Sequence, residues 1–240
     1  MDNYQLFVLN CVSYSDLNTS EENIFGSLLT LRIKGYFDFH GHNVMPVDQH
    51  DHYCTNLLLC EKSGDEYYPL ACAKVINYSD CQERGMKFPP VDILENSQNK
   101  EALDSVNRLI EQAKVAGEDI TYDCSFTICP DKRGNHNSAH VAKYLLASWL
   151  SYHHHNNINQ FILSATIKTK TDRTFSRLGC KPVCSDTFYK LYSINYEQAL
   201  MMNFDDYSHQ ALRWIKDARG LWENRIEIGK KEKEPALNVA

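Results

Sequence analysis

Residues 122–138 put a carboxylate, hydroxyls and thiols on an apolar run and follow them at once with a polar loop. The run carries Asp123, Cys124, Ser125, Thr127, Ile128 and Cys129, and the loop carries Arg133, Gly134, Asn135, His136, Asn137 and Ser138. An apolar-striped stretch, residues 139–151, continues from the loop, so the order reads strand, tight loop, helix. A helix that begins there leaves its first backbone N–H groups unpaired and turns the positive end of its dipole towards the loop. Together these features hold a pyrophosphate or another anion. Ligand-free α/β proteins contain the same joint, so the loop alone leaves both readings open.

Other chemistry is less well supported by spacing. His40, His42, His50 and His52, with Asp48 and Asp51 among them, could supply imidazole and carboxylate metal ligands. Their spacing fits no standard zinc pattern, and no metal is expected. His153, His154 and His155 end a predicted helix, where imidazoles complement the negative end of the dipole. The nine cysteines are odd in number and scattered, mostly in apolar runs, and none forms a CxxC pair. Buried reduced thiols in a cytoplasmic protein explain this best. No spacing singles out a Cys–His nucleophilic pair.

The net charge of −6 argues against a nucleic-acid surface. No apolar run approaches the roughly 20 residues that span a bilayer, and residues 6–12 are too short and lack the basic start of a signal peptide.

The elements that must position these residues follow in order. Residues 4–12 read as a strand. Thr19-Ser-Glu-Glu22 is a capping-box pattern opening a helix that Gly41 ends. Residues 42–53 are a polar loop. Residues 54–60 and 67–78 read as an antiparallel hairpin around the turn residues Lys62 to Glu66. Residues 87–90 are a breaker cluster, and residues 99–115 a helix with Leu103, Val106, Leu109, Ile110 and Ala113 on one side. After the central block come a strand at 161–166, a short helix ending at Gly179, a strand at 187–195, a short helix at 196–202 and a terminal amphipathic helix at 205–226. With no repeat and no linker, residues 1–229 read as one domain and residues 230–240 as a charged, disordered tail.

This order of elements resembles that of the GNAT-type N-acyltransferases. Arg133-Gly-Asn-His-Asn-Ser138 resembles the family's R-x-x-G-x-G/A loop, with His136 at the first glycine. Leu178-Gly179 resembles its last motif, with Phe175 where a tyrosine often protonates the leaving thiolate. The front half is closer to one branch, the autoinducer (acyl-homoserine-lactone) synthases and N-acyl amino acid synthases. Arg32 and Tyr36 followed by Asp48-Gln-His-Asp51 match its Arg, aromatic and D-x-x-D pattern. Ala71-Cys-Ala-Lys74 stands in place of its G-x-x-R, and Asp123-Cys-Ser125-Phe126 in place of its E-x-S-R.

The resemblance implies an α/β (α+β) fold with a mixed, mostly antiparallel central sheet flanked by helices. It implies an N-acyltransferase that moves an acyl group from a CoA or acyl-carrier-protein thioester to the amine of a small molecule or amino acid. Asp123 would then take the ammonium proton and Ser125 position the amine. Backbone N–H groups at Thr127, Ile128 and Cys129 would hold the thioester and its oxyanion. Arg133 and the amides of Gly134, Asn135, His136, Asn137 and Ser138 would hold the phosphates. Arg32, Tyr36, Asp48, Asp51 and Lys74 would bind the substrate. A non-catalytic module that binds the same ligands is the alternative.

Overall fold

The structure, a computed structural model, describes residues 3–12, 17–134, 136–185 and 188–229, of which His136 and Asn137 only as backbone. The predicted tail, 230–240, and Asn135 lie outside the described residues, as do the side chains of His136 and Asn137.

The first half of the chain builds β1 (Tyr4–Asn10), α1 (Thr19–His40), β2 (Thr55–Ser63), β3 (Glu66–Asn77), α2 (Tyr78–Glu83), α3 (Pro89–Asn96) and α4 (Lys100–Ala116). The central block is β4 (Thr121–Ile128), α5 (His136–His155), β5 (Phe161–Thr166) and α6 (Thr171–Leu178). It is followed by β6 (Cys180–Pro182), β7 (Phe188–Leu191), β8 (Glu197–Phe204), α7 (His209–Asp217), α8 (Arg219–Glu223) and β9 (Ile226–Gly229). The sheet runs β6-β8-β5-β4-β3-β2-β1-β9, and β7 also pairs with β8. Among the described residues β4 with β5 and β1 with β9 pair in parallel, and the other strand pairs are antiparallel.

Two apolar layers cover the sheet. On one face Val141, Leu145, Trp149 and Leu150 of α5, Phe175 of α6 and Trp222 of α8 pack on Leu57, Ala73 and Leu163. On the other face lie α1, through Phe25 and Leu28, and α3 and α4, through Ile93 and Val106. Residues alternate between these faces along each strand.

Two irregularities open the sheet at its centre. β4 pairs with β5 only through Thr121, Tyr122 and Asp123, then runs on to Ile128 without it. In addition, β4 sets Ser125 and Phe126 opposite the single residue Ala73 of β3, because Cys72 pairs with Thr127 and Lys74 with Cys124. This is a β-bulge, which bends and twists the strand that carries it. Ser125 takes a left-handed φ of 58° there. The bend carries the end of β4 away from β5.

Helix α1 fits against the bulge because residue 35 has no side chain. A Cβ on Gly35 would stand 2.3 Å from Thr127 Cγ2.

Several elements differ from the sequence reading. The cap of α1 is Asn18 with Glu21, one residue earlier than the Thr19–Glu22 pair. The expected breaker cluster runs into a helix, α3, with Pro89 in the first turn, where a missing N–H costs nothing. The predicted short helix at 196–202 is strand β8. Its Ala199, Leu200, Met201 and Met202 are consecutive and all buried, as in a strand covered on both faces. The terminal helix breaks at Ala218 into α7 and α8 and ends in β9.

Candidate active site

The gap between β4 and β5 is the waist of a cavity of about 950 Å³. On the α5 face its wall is Gly134, Ser138, Ala139 and Ala142, with Thr174 and Phe175 of α6. On the opposite face it is Tyr36 and His40 of α1, Asp48 and His50 of the following loop, and Asp92 and Ile93 of α3. Ser125, Phe126, Thr127 and Ile128 of β4 connect the two halves. The cavity thus passes from one side of the sheet to the other through the gap.

Uncharged hydroxyls and a thiol occupy the waist. Tyr122 and Tyr189 both hydrogen-bond to Ser164 Oγ, at 2.7 and 2.6 Å. Burial pushes the Tyr36 phenol up to about 12 and the Cys124 thiol up to about 11, so both are protonated at pH 7.

Behind the wall on the α1 side lies an alternating row of charges. Arg32 pairs with Asp51, and its other nitrogen donates to Asn56 Oδ1 at 2.6 Å. Lys74 Nζ stands 3.1 Å from Asp51 and donates to Asp48 at 3.1 and 3.2 Å. Burial and the nearby Arg32 work against the Lys74 ammonium, yet its neighbours Cys124 and Asp51 hold it up at about 12. Burial also opposes ionisation of Asp48. Hydrogen bonds from His50 and the charge of Lys74 outweigh it and hold this carboxyl well below the usual carboxylate range.

Of the residues expected from the sequence, Tyr36, Asp48, Ser125, Thr127, Ile128, Arg133, Gly134 and Ser138 border the cavity. The structure places Asp123, Cys129, Arg32, Asp51 and Lys74 away from the cavity lining. Asp123 is fully buried on the α5 face, where its carboxylate accepts from Trp149 Nε1 at 2.9 Å and Thr121 Oγ1 at 3.0 Å and stands 3.0 Å from His153 Nε2. Strand alternation puts Tyr122 and Cys124, not Asp123, on the side of α1. Arg32, Asp51 and Lys74 are also buried and back the wall without forming it. The N–H of Cys129 donates to Leu70 O at 2.7 Å and is not free for a ligand. Arg133 reaches the cavity, but its nitrogens are engaged. They donate to Ile128 O at 3.0 Å, Gly35 O at 2.9 Å and Asp38 Oδ2 at 2.8 Å, fastening the loop to α1.

His50, Cys124, Tyr122 and Ser164 border the cavity and are not among the substrate- or donor-binding residues expected from the sequence. The D-x-x-D spacing encloses His50 without giving it a role, and the pairing of Ser164 with two tyrosines is visible only in three dimensions.

Among the described residues no cluster of three or more His, Cys, Asp or Glu side chains could hold a metal ion. Among them, too, no helix is long and apolar enough to cross a membrane.

The same overall fold recurs in solved structures. BjaI, a CoA-dependent acyl-homoserine lactone synthase, superposes with a TM-score of 0.60 at 12% identity, covering 95% of this chain and 95% of that one. The fold is that of the GNAT-type N-acyltransferases. FeeM, an N-acyl amino acid synthase from uncultured soil microbes, matches the same GNAT fold with a TM-score of 0.55 at 13% identity over 91% of this chain and 95% of its own. The acyl-homoserine-lactone synthase LasI matches at 0.52 and 12% identity over 95% and 98%. No protein-family model matches the sequence, and no curated protein matches it in sequence. The likeness is therefore one of fold, carried by three-dimensional form and not by sequence.

Proposed function

We propose that this chain is an N-acyltransferase that moves an acyl group from a phosphopantetheine thioester, carried by CoA or an acyl carrier protein, to the amine of a small molecule or amino acid. The observation that carries the reading is the cavity through the β4/β5 gap. It joins a helix start, which suits phosphates, to a separate chamber under α1 and α3. A thioester threaded through the waist would meet an amine from the other side. Beyond Asp123 the edge of β4 has no strand partner on its β5 side, so backbone groups there are available to a pantetheine amide and to the oxyanion of the tetrahedral intermediate. One neighbour of this fold, BjaI, has been solved with isopentyl-CoA, which supports an acyl-CoA donor.

Tyr36 and Ser125 border the waist and suit the positioning of the amine and the carbonyl. Asp123 has no part in this scheme, because its carboxylate faces α5. With Arg133 engaged, the phosphates rely on the amides that open α5 and on Ser138.

The test is thiol release from acyl-CoA and acyl-carrier-protein donors of graded chain length, each with a panel of amines. Ala142→Trp, which fills the cavity on the α5 side, is expected to abolish both donor binding and release. Absence of binding and of release with every donor rejects the proposal. Phe175, which cannot donate a proton, and the engaged Arg133 favour the second reading, a non-catalytic ligand-binding module. Tight donor binding without turnover would establish that one.

A further inference from the structure

An amine reaches such a cavity as an ammonium ion and must lose a proton before it can attack. The strand carboxylate that might take it, Asp123, is on the wrong face. A different pair lies on the acceptor side. His50 sits on the 3₁₀ turn Gln49–His52, with its Nδ1 3.1 Å from Asp48 Oδ1. The same oxygen accepts the backbone N–H of His50 at 2.8 Å, and Lys74 fixes the carboxylate from behind. A carboxylate against Nδ1 keeps the ring proton there and leaves a lone pair on Nε2.

His50 Nε2 is buried and has no hydrogen-bond partner. Of the buried, unpartnered side-chain polar atoms among the described residues, it is the one carried by a residue that lines the cavity. Such an atom is costly unless something completes it, and an ammonium N–H does so. The other ionisable groups of this chamber are committed. His40 Nδ1 is bound to Glu197 at 2.9 Å, and Asp92 accepts the Tyr192 hydroxyl at 2.9 Å.

We propose that His50, oriented by Asp48, is the base that deprotonates the acceptor amine; the proposal rests on the acyl-transfer reading above. Nε2 takes one proton from the ammonium group and becomes imidazolium. The freed lone pair forms a C–N bond to the thioester carbonyl carbon, and the C=O π pair moves to oxygen. Collapse of this intermediate restores C=O and breaks C–S, and the sulfur leaves with the bonding pair. The proton remaining in excess on nitrogen passes to the thiolate, and His50 returns its own proton to water. The sum is amide, thiol and one released proton.

The experiment compares two acceptors in the wild-type protein and in His50→Gln: an alkylamine, protonated at pH 7, and hydroxylamine, already neutral there. The expected result is a loss of about a hundredfold or more in kcat/KM for the alkylamine, with little loss for hydroxylamine and unchanged acyl-CoA binding. Equal loss with both acceptors, or none with either, overturns the assignment of His50. A wild-type protein that transfers to neither acceptor overturns the acyl-transfer reading itself, and the base with it. If the amide disturbs the turn, His50→Ala serves instead, with alkylamine transfer restored by added imidazole. Failure of imidazole to restore it counts against the proposal.

Discussion

Trp149 Nε1 donates to Asp123 Oδ2 at 2.9 Å, and both side chains are fully buried. Thr121 and His153 complete the surroundings of this carboxylate, which ties β4 to the C-terminal half of α5. Asp123→Ala strands all three partners in the core, and the loss of a buried charged partner costs about 3 kcal/mol or more. Urea denaturation at pH 7 measures this, and acyl-CoA binding by the folded fraction should persist. A variant of wild-type stability that fails to bind donor would make Asp123 a ligand-binding residue and not a support of the core.

Gly179 ends α6 with a φ of +114°, and a Cβ on it would lie 1.7 Å from the backbone oxygen of Asp206. Both the conformation and the contact exclude a side chain. Gly179→Ala is expected to destabilise by at least about 2 kcal/mol. An unchanged melting temperature would contradict the close approach of the α6 end to residue 206.

The contact between Gly35 and the bulge predicts a coupled pair. Alanine is intrinsically better than glycine in a helix by about 1 kcal/mol, yet Gly35→Ala should destabilise because its methyl meets Thr127 Cγ2. Thr127→Ser removes that methyl. In a double-mutant cycle the serine variant should recover about 1 kcal/mol or more of the alanine's cost. Strict additivity would place α1 further from β4 than described.

Asp48 gives a pH dependence with a defined sign. Its folded-state pKa is depressed below the unfolded value of about 3.9. Its contribution to stability is therefore fully present above the unfolded pKa and is lost as pH falls through the folded one. The stability gap between wild type and Asp48→Asn should be constant from pH 7 to pH 5 and should close only on strong acidification. A gap that closes near neutrality would show that the carboxylate is not held by Lys74 and His50.

Cys124 reports on the cavity. Its thiol, pushed up to about 11 by burial, is expected to react slowly with iodoacetamide at pH 7 and faster as pH rises. Acyl-CoA should protect it if the donor passes the waist. Peptide mass mapping separates it from the other cysteines, and rapid, unprotected alkylation at pH 7 would count against both the burial and the ligand path.

Much of the central block is legible in residue order. The apolar runs of β4 and β5, the polar loop and the stripe on α5 are local patterns, and local patterns persist in the folded chain. Arg32, Tyr36, Asp48, Asp51 and Lys74 group by motif, and the fold does gather them on one side of the sheet. Their division into Tyr36 and Asp48 at the wall and the other three behind it depends on packing depth, which no spacing encodes. The Ala, Leu and Met residues of β8 favour a helix by intrinsic propensity. The position of β8 between β5 and β6, covered on both faces, overrides that preference.

By itself, then, the sequence determined the element order of the central block, the alternation along β4 and the placing of a helix start beside a strand end, since each follows from the period of the apolar residues and from turn chemistry. The tertiary structure decided which way that alternation faces. A strand's period is two, so Asp123 and Cys124 must point to opposite sides, but only the packing of Trp149 and His153 turns the carboxylate into the core and leaves the thiol at the waist. The bulge at Ser125 and the short pairing of β4 with β5 open the sheet there, and the turn after α1 carries Asp48 and His50 to the far side of the opening.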